Sequence, residues 1–167
     1  MMRLRFQLAL VLVALLAVAL AQDSLVPKAP IVGVMSSEPV TVAPGGSARV
    51  ELRFRVFPGY HINSNKPRSE FLIPTRLKLS PPANLVPGAI VYPEGKDLTF
   101  VFSPKEKLNV YSGNFTVSAE LRALAGAPAG SYKVPGELRY QACNDRACFP
   151  PTKLPVEVEV TVRKPRG

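Results

Sequence analysis

An all-β fold of antiparallel strands is what this sequence predicts, and three observations predict it. All 18 prolines fall after residue 21, and each removes a backbone donor and fixes φ, which opposes long helices. Between the prolines run segments in which apolar and polar residues alternate, the pattern of strands with one face on a core and one in water. Turn signals recur roughly every 8–12 residues, a spacing suited to short strands. Eight or nine such strands argue a β-sandwich of immunoglobulin-like architecture. The chain has no tryptophan, and its two cysteines stand too close together to staple two sheets, so the apolar core alone must hold the sandwich.

Taken in order, the chain begins with an export signal. Arg3 and Arg5 form a basic start, Leu8–Leu20 an unbroken apolar run, and Ala19-Leu20-Ala21 the small-x-small pattern of a cleavage site. The run falls short of the ~20 apolar residues that span a bilayer. Residues 1–21 are therefore expected to be removed, leaving 22–30 as a leader, 31–163 as one domain and 164–167 as a tail. The residue directly after the cleavage site is Gln22 and not cysteine, so no lipid anchor is expected.

Three strands read most clearly: Val50–Val56, Phe115–Leu121 and Val156–Val162, each alternating throughout. Shorter ones are expected at Ile31–Met35, Pro39–Val42, Thr75–Leu79, Ala89–Tyr92, Leu98–Phe102 and Glu137–Ala142. Turns are expected at Pro44-Gly45-Gly46, Pro58-Gly59, Ser80-Pro81-Pro82, Pro87-Gly88, Ser112-Gly113 and Ala125–Gly130.

Charge narrows the function little. Export would remove two arginines and no acid, taking the formal net charge from +9 to +7. The basic residues alternate along strands and so read as solvated faces. No lysine or arginine block interleaves with aromatics, which argues against a nucleic-acid partner. With one histidine no hydrolase constellation forms, and no glycine-rich phosphate cradle follows a strand.

The chemistry is concentrated in Cys143-Asn144-Asp145-Arg146-Ala147-Cys148, which holds the only two cysteines. A disulfide here is a weak staple: closing a ring of about six residues gives roughly 2 kcal/mol, against nearly 5 for a loop of about a hundred. A pair this local can open without rebuilding the fold, which suits reversible exchange. Both readings, redox and structural, stay open on the residues alone. Arg146 would favour thiolate while Asp145 opposes it, and Pro150-Pro151 ends the strand directly after Cys148. A Cys-Cys-His copper(I) site using His61, the sole histidine, is a third reading; a blue-copper site needs two histidines and is excluded. His61 itself reads more simply as a structural hydrogen-bonding residue, and no cofactor is expected.

Tyr140-Gln141-Ala142-Cys143 followed by Cys148-Phe149-Pro150-Pro151 resembles the Tyr-Gln-x-Cys…Cys-x-Pro-Pro signature of the N-terminal, periplasmic domain of the DsbD thiol:disulfide interchange proteins. Gly59-Tyr60-His61-Ile62 is similar to that family's Gly-(Trp/Tyr)-His-Ile motif. Phe71–Thr75, Val91–Lys96 and Tyr111-Ser112-Gly113 match in order, so the resemblance covers about residues 31–162. It implies an immunoglobulin-like domain that passes electrons outside the cytoplasmic membrane. A membrane-embedded reductase would be the donor, and thioredoxin-like or disulfide-isomerase proteins the acceptors. Carried over, Cys148 would form the mixed disulfide with the partner and Cys143 would resolve it. A cap loop shields the cysteines in the family; here Asp97–Lys107 takes its place, with Phe100 or Phe102 as lid, though both also read as core. Tyr140 and Tyr92 would line the site or belong to the core. Family members continue into a multi-helix membrane domain and a thioredoxin-like domain, whereas this sequence ends at Gly167, so a stand-alone module served by a separate membrane partner is expected. The alternative is a non-catalytic interaction module with a structural hairpin disulfide.

Overall fold

Alternation becomes two packed sheets. The computed structural model describes residues 30–164, so the signal, nearly all of the leader and the last three residues of the tail lie outside the described residues. Among the described residues there are twelve strands and no helix: β1 Val32–Ser37, β2 Val40–Val42, β3 Ser47–Val56, β4 His61–Asn63, β5 Arg76–Leu79, β6 Leu85–Val91, β7 Lys96–Phe100, β8 Ser103–Tyr111, β9 Asn114–Ala123, β10 Gly130–Tyr140, β11 Ala142–Cys143 and β12 Thr152–Val162. The expected eight or nine strands thus become twelve, because several are too short or too exposed to alternate.

One sheet has the order β1-β3-β9-β6 and a second β2-β12-β10-β5. Val50, Leu52, Phe54 and Val56 face inward from β3, Val117 and Leu121 from β9, and Val134, Leu138, Val158 and Val160 from β10 and β12; all join one buried core. Phe54 and Phe115, opposed across β3 and β9, stack with ring centroids 5.2 Å apart. The intervening residues are solvated charges, as in the exposed Lys133–Glu157 pair across β10 and β12, 2.9 Å. Such exposed pairs add little stability. The strands are antiparallel with one exception: β2 lies parallel to β12, Val160–Val162 against Val40–Val42.

Proline positions correct one expectation. Pro87-Gly88 is not a turn but lies inside β6, where the register against β9 shifts between Pro87 and Ile90. β6 is an edge strand, so a missing N–H at a bulge costs no ladder bond.

The third sheet, β11-β4-β8-β7, positions the cysteines. β3 leads through the Phe57–Tyr60 turn into β4, β8 turns at Ser112-Gly113 into β9, and β10 breaks at Gln141 before β11. Gly113 takes φ 62°, the left-handed region where glycine is favoured, and its carbonyl accepts the Val56 N–H at 2.8 Å. Ile62, Tyr111 and Ala142 carry the third sheet's apolar face into the common core.

Candidate functional site

Cys143 and Cys148 are disulfide-bonded, with Cα atoms 3.9 Å apart. They face each other as an isolated antiparallel bridge, so the six-residue segment is a tight hairpin. Its turn is closed by Asn144. The backbone N–H of Asn144 donates to the Ala147 carbonyl at 2.9 Å, and its Oδ1 accepts from Arg146 N (2.9 Å) and Ala147 N (2.8 Å). Asparagine favours this local bonding because its short side chain mimics a backbone turn. On the far side Phe149 N donates to the Ala142 carbonyl at 2.8 Å. The hairpin therefore has bonds of its own, independent of the disulfide.

The two cysteines are not equally buried. Cys143 is fully buried, at 0% exposure, whereas Cys148 is half-buried at the margin. Arg146 stands exposed at the hairpin tip, without an ion-pair partner among the described residues.

Gln141 was legible in the sequence only as part of a motif, and it anchors the site. Its Oε1 accepts from Asn63 Nδ2 (3.1 Å) and Ile73 N (3.0 Å), and its Nε2 donates to the Phe149 carbonyl at 3.2 Å. One side chain thus ties the break before β11 to β4, to the 64–75 loop and to the strand leaving Cys148. Asn63 adds a bond from Nδ2 to the Ile73 carbonyl at 3.1 Å.

His61 pairs directly with Cys143 across β4 and β11. It is buried, and burial lowers its pKa from 6.5 to about 4, since nothing nearby compensates a charged ring. Among the described residues its Nε2 has no hydrogen-bond partner. Against the ring lies Phe100, centroids 3.8 Å apart and planes 17° apart, and Phe102 stacks in turn on Phe100 at 5.6 Å. These phenylalanines flank Val101 at the tip of the β7–β8 hairpin; the expected strand Leu98–Phe102 is displaced to Lys96–Phe100, with Phe102 in the turn. They are not core: Phe102 is 36% exposed and neither joins the buried cluster. The base of this hairpin is fixed by Asp97, which accepts from Arg68 and from Asn109 Nδ2 (2.8 Å), bonds that lower its pKa to about 2. At the same base Gly95 packs so tightly that a Cβ would fall 2.1 Å from Asn109 Oδ1.

The two remaining sequence candidates fall elsewhere. Tyr140 is a buried core residue at the end of β10. Tyr92 packs against the core with its hydroxyl accepting the Leu77 N–H at 2.7 Å, which satisfies a backbone donor of β5 rather than lining the cysteines. Among the described residues no three His, Cys, Asp or Glu side chains are grouped for a metal ion, the two cysteines being joined to each other.

An immunoglobulin-like sandwich with a disulfide hairpin on an appended small sheet is the class of domain these features define. The chain belongs to the family described as thiol:disulfide interchange protein DsbD, N-terminal, whose model matches residues 31–159. No curated protein matches it significantly in sequence. Among solved structures it is similar to the Neisseria meningitidis DsbD N-terminal domain in the reduced form, at 21% identity and TM-score 0.50, covering 83% of this chain and 93% of that one. It is also similar to the N-terminal periplasmic domain of ScsB from Proteus mirabilis, at 12% identity and TM-score 0.54, covering 79% of this chain and 47% of that one. A type I cohesin from Pseudobacteroides cellulosolvens shares the fold as well, at 13% identity and TM-score 0.52, covering 81% of this chain and 94% of that one. A sandwich shared with a cohesin does not by itself specify thiol chemistry; the residues of the site must.

Proposed function

We propose that this domain is an exported thiol–disulfide exchange module of the oxidoreductase type. The observation that carries the reading is the asymmetry of the pair: one cysteine buried, one half-buried, in a hairpin that Asn144 closes with bonds additional to the disulfide. In the reduced form the Cys148 thiolate attacks a partner disulfide, forming a mixed disulfide and expelling one partner thiolate. Cys143 then attacks the Cys148 sulfur, the second partner thiolate leaves, and the internal disulfide is restored. Two electrons and two protons pass to the partner. A membrane-embedded thiol reductase returns them, and the acceptors are extracytoplasmic thioredoxin-like or disulfide-isomerase proteins. Family membership and the export signal read in the sequence support this placement. The aromatic tip of β7–β8 serves as a cap, and Arg146 at the hairpin tip meets the incoming partner.

Single-cysteine variants test the division of labour. Reduced Cys143→Ser, offered glutathione disulfide, accumulates a mixed disulfide mapped to Cys148 by mass spectrometry, while Cys148→Ser reacts far more slowly. Equal rates at the two positions, or no adduct at either, would remove the basis for the reading.

A further inference from the structure

We infer that His61 is a positioning residue for the cysteine pair, its Nε2 forming a hydrogen bond with the Cys143 sulfur in the reduced state that the disulfide state denies it. The inference rests on the exchange reading above and deepens it.

The ladder supplies the geometry. His61 is opposed to Cys143 on one side, and Cys148 is opposed to Cys143 on the other, so the three residues form a row across the strands. Directly opposed residues of an antiparallel ladder point to the same face, with Cβ atoms about 4.5–5.5 Å apart. The ring is held from the side by Phe100, stacked at 3.8 Å. Within this setting Nε2 is buried and without a partner among the described residues. Asn63 Oδ1, two residues along the same strand face, is also buried and unpartnered, and the two do not bond each other. A buried polar atom left unpaired is costly and rare in a folded protein.

Reduction supplies what is missing. A disulfide sulfur has no proton to give and accepts poorly. Opening the bond with two electrons and two protons, taken from two glutathione thiols that become glutathione disulfide, leaves Cys143 as thiol or thiolate. A thiol donates its S–H to a bare Nε2, and a thiolate accepts from a protonated one. Burial keeps the imidazole neutral near pH 7, so either tautomer finds its complement. The hydrogen bond therefore favours the reduced pair and holds the Cys143 sulfur in place for the resolving step.

The test is the equilibrium with glutathione. His61→Phe keeps an aromatic ring against Phe100 but removes both nitrogens. Its equilibrium constant is expected to shift about tenfold toward the disulfide, which is ~30 mV for a two-electron couple. His61→Gln, which restores a donor and an acceptor, recovers part of the shift. A purely structural histidine would change the denaturation midpoint without moving this constant. In the unaltered protein the ¹⁵N resonance of His61 Nε2 should move between oxidised and reduced forms, a readout that needs no variant to fold. A His61→Phe constant within twofold of the parent, or an Nε2 resonance indifferent to redox state, overturns the inference and leaves the exchange reading standing. A parent pair that glutathione cannot reduce at all sinks that reading, and this inference with it.

Discussion

Replacing Gln141 with alanine removes three hydrogen bonds at once and tests whether this side chain sets the cysteine strand. Asn63 Nδ2 keeps its bond to the Ile73 carbonyl, but the Ile73 N–H and the Phe149 carbonyl lose their partners. A hydrogen bond of this kind contributes ~1 kcal/mol net, and a buried group left unpaired costs ~1–3. Ile73 and Phe149 are only half-buried, so water can reach them and the lower end applies. The expected loss is about 2–3 kcal/mol. Urea denaturation followed by far-ultraviolet circular dichroism measures it, since the chain has no tryptophan to report by fluorescence. The midpoint should fall with an unchanged slope, because the surface exposed on unfolding is the same. In the reduced protein, alkylation of buried Cys143 should also accelerate as β11 loosens from β4. A loss below about 0.5 kcal/mol, the range of an ordinary surface substitution, together with unchanged alkylation, would refute the anchoring role.

Three further outcomes follow from the site. Phe100→Ala removes an aromatic stack worth ~0.5–1.5 kcal/mol, so the hairpin tip should open roughly 2- to 13-fold more often and reduced Cys143 should alkylate faster by that factor. Val101→Ala, at a side chain 83% exposed on the same tip, should leave the rate unchanged. Asn144→Ala should destabilise the reduced protein by ~1 kcal/mol and the oxidised protein by less, because the disulfide constrains the same hairpin; a larger loss in the oxidised form would contradict the account. The His61 pKa is lowered on folding, so the unfolded chain binds the proton more tightly and stability falls as pH drops from about 6.5 toward 4. The loss amounts to up to about 3 kcal/mol, and His61→Phe should flatten the profile in that window. Asp97 has the same sign of dependence, since its pKa is also lowered on folding: its contribution is lost as pH falls from about 4 toward 2, below the His61 window.

Legibility in the sequence followed burial. β3, β9 and β12 each keep one face in the core and one in water for most of their length, and alternation locates all three. β8 is exposed from Pro104 to Lys107 on both faces, so its first half carries no period and reads as a polar loop. β4 fails in the opposite way, since His61, Ile62 and Asn63 are all buried and three such residues have no alternation to show. β11 is two residues long and is recognisable only from the motif around it. The cysteine pair was evident because it is unique in the chain, and its flanking residues resembled a known signature. Gln141 belonged to that signature, but nothing local indicated that its side chain reaches Asn63, Ile73 and Phe149. The stack of Phe100 on His61 joins residues far apart in sequence, on strands that are not neighbours in the sheet. Tyr92 and Tyr140 illustrate the limit of membership in a motif: both belong to stretches that resemble the family, yet one bonds the backbone of β5 and the other fills the core.

The central claim is that Cys143–Cys148 is an exchanging pair rather than a staple, and a redox titration tests it most directly. The protein is equilibrated across a series of defined glutathione potentials, quenched by alkylation, and the reduced fraction is read by mass spectrometry. Structural disulfides typically lie below about −300 mV. The account predicts half-reduction above that value, with the fold retained on both sides of the transition. A midpoint below it, or loss of the sandwich on reduction, would contradict the claim.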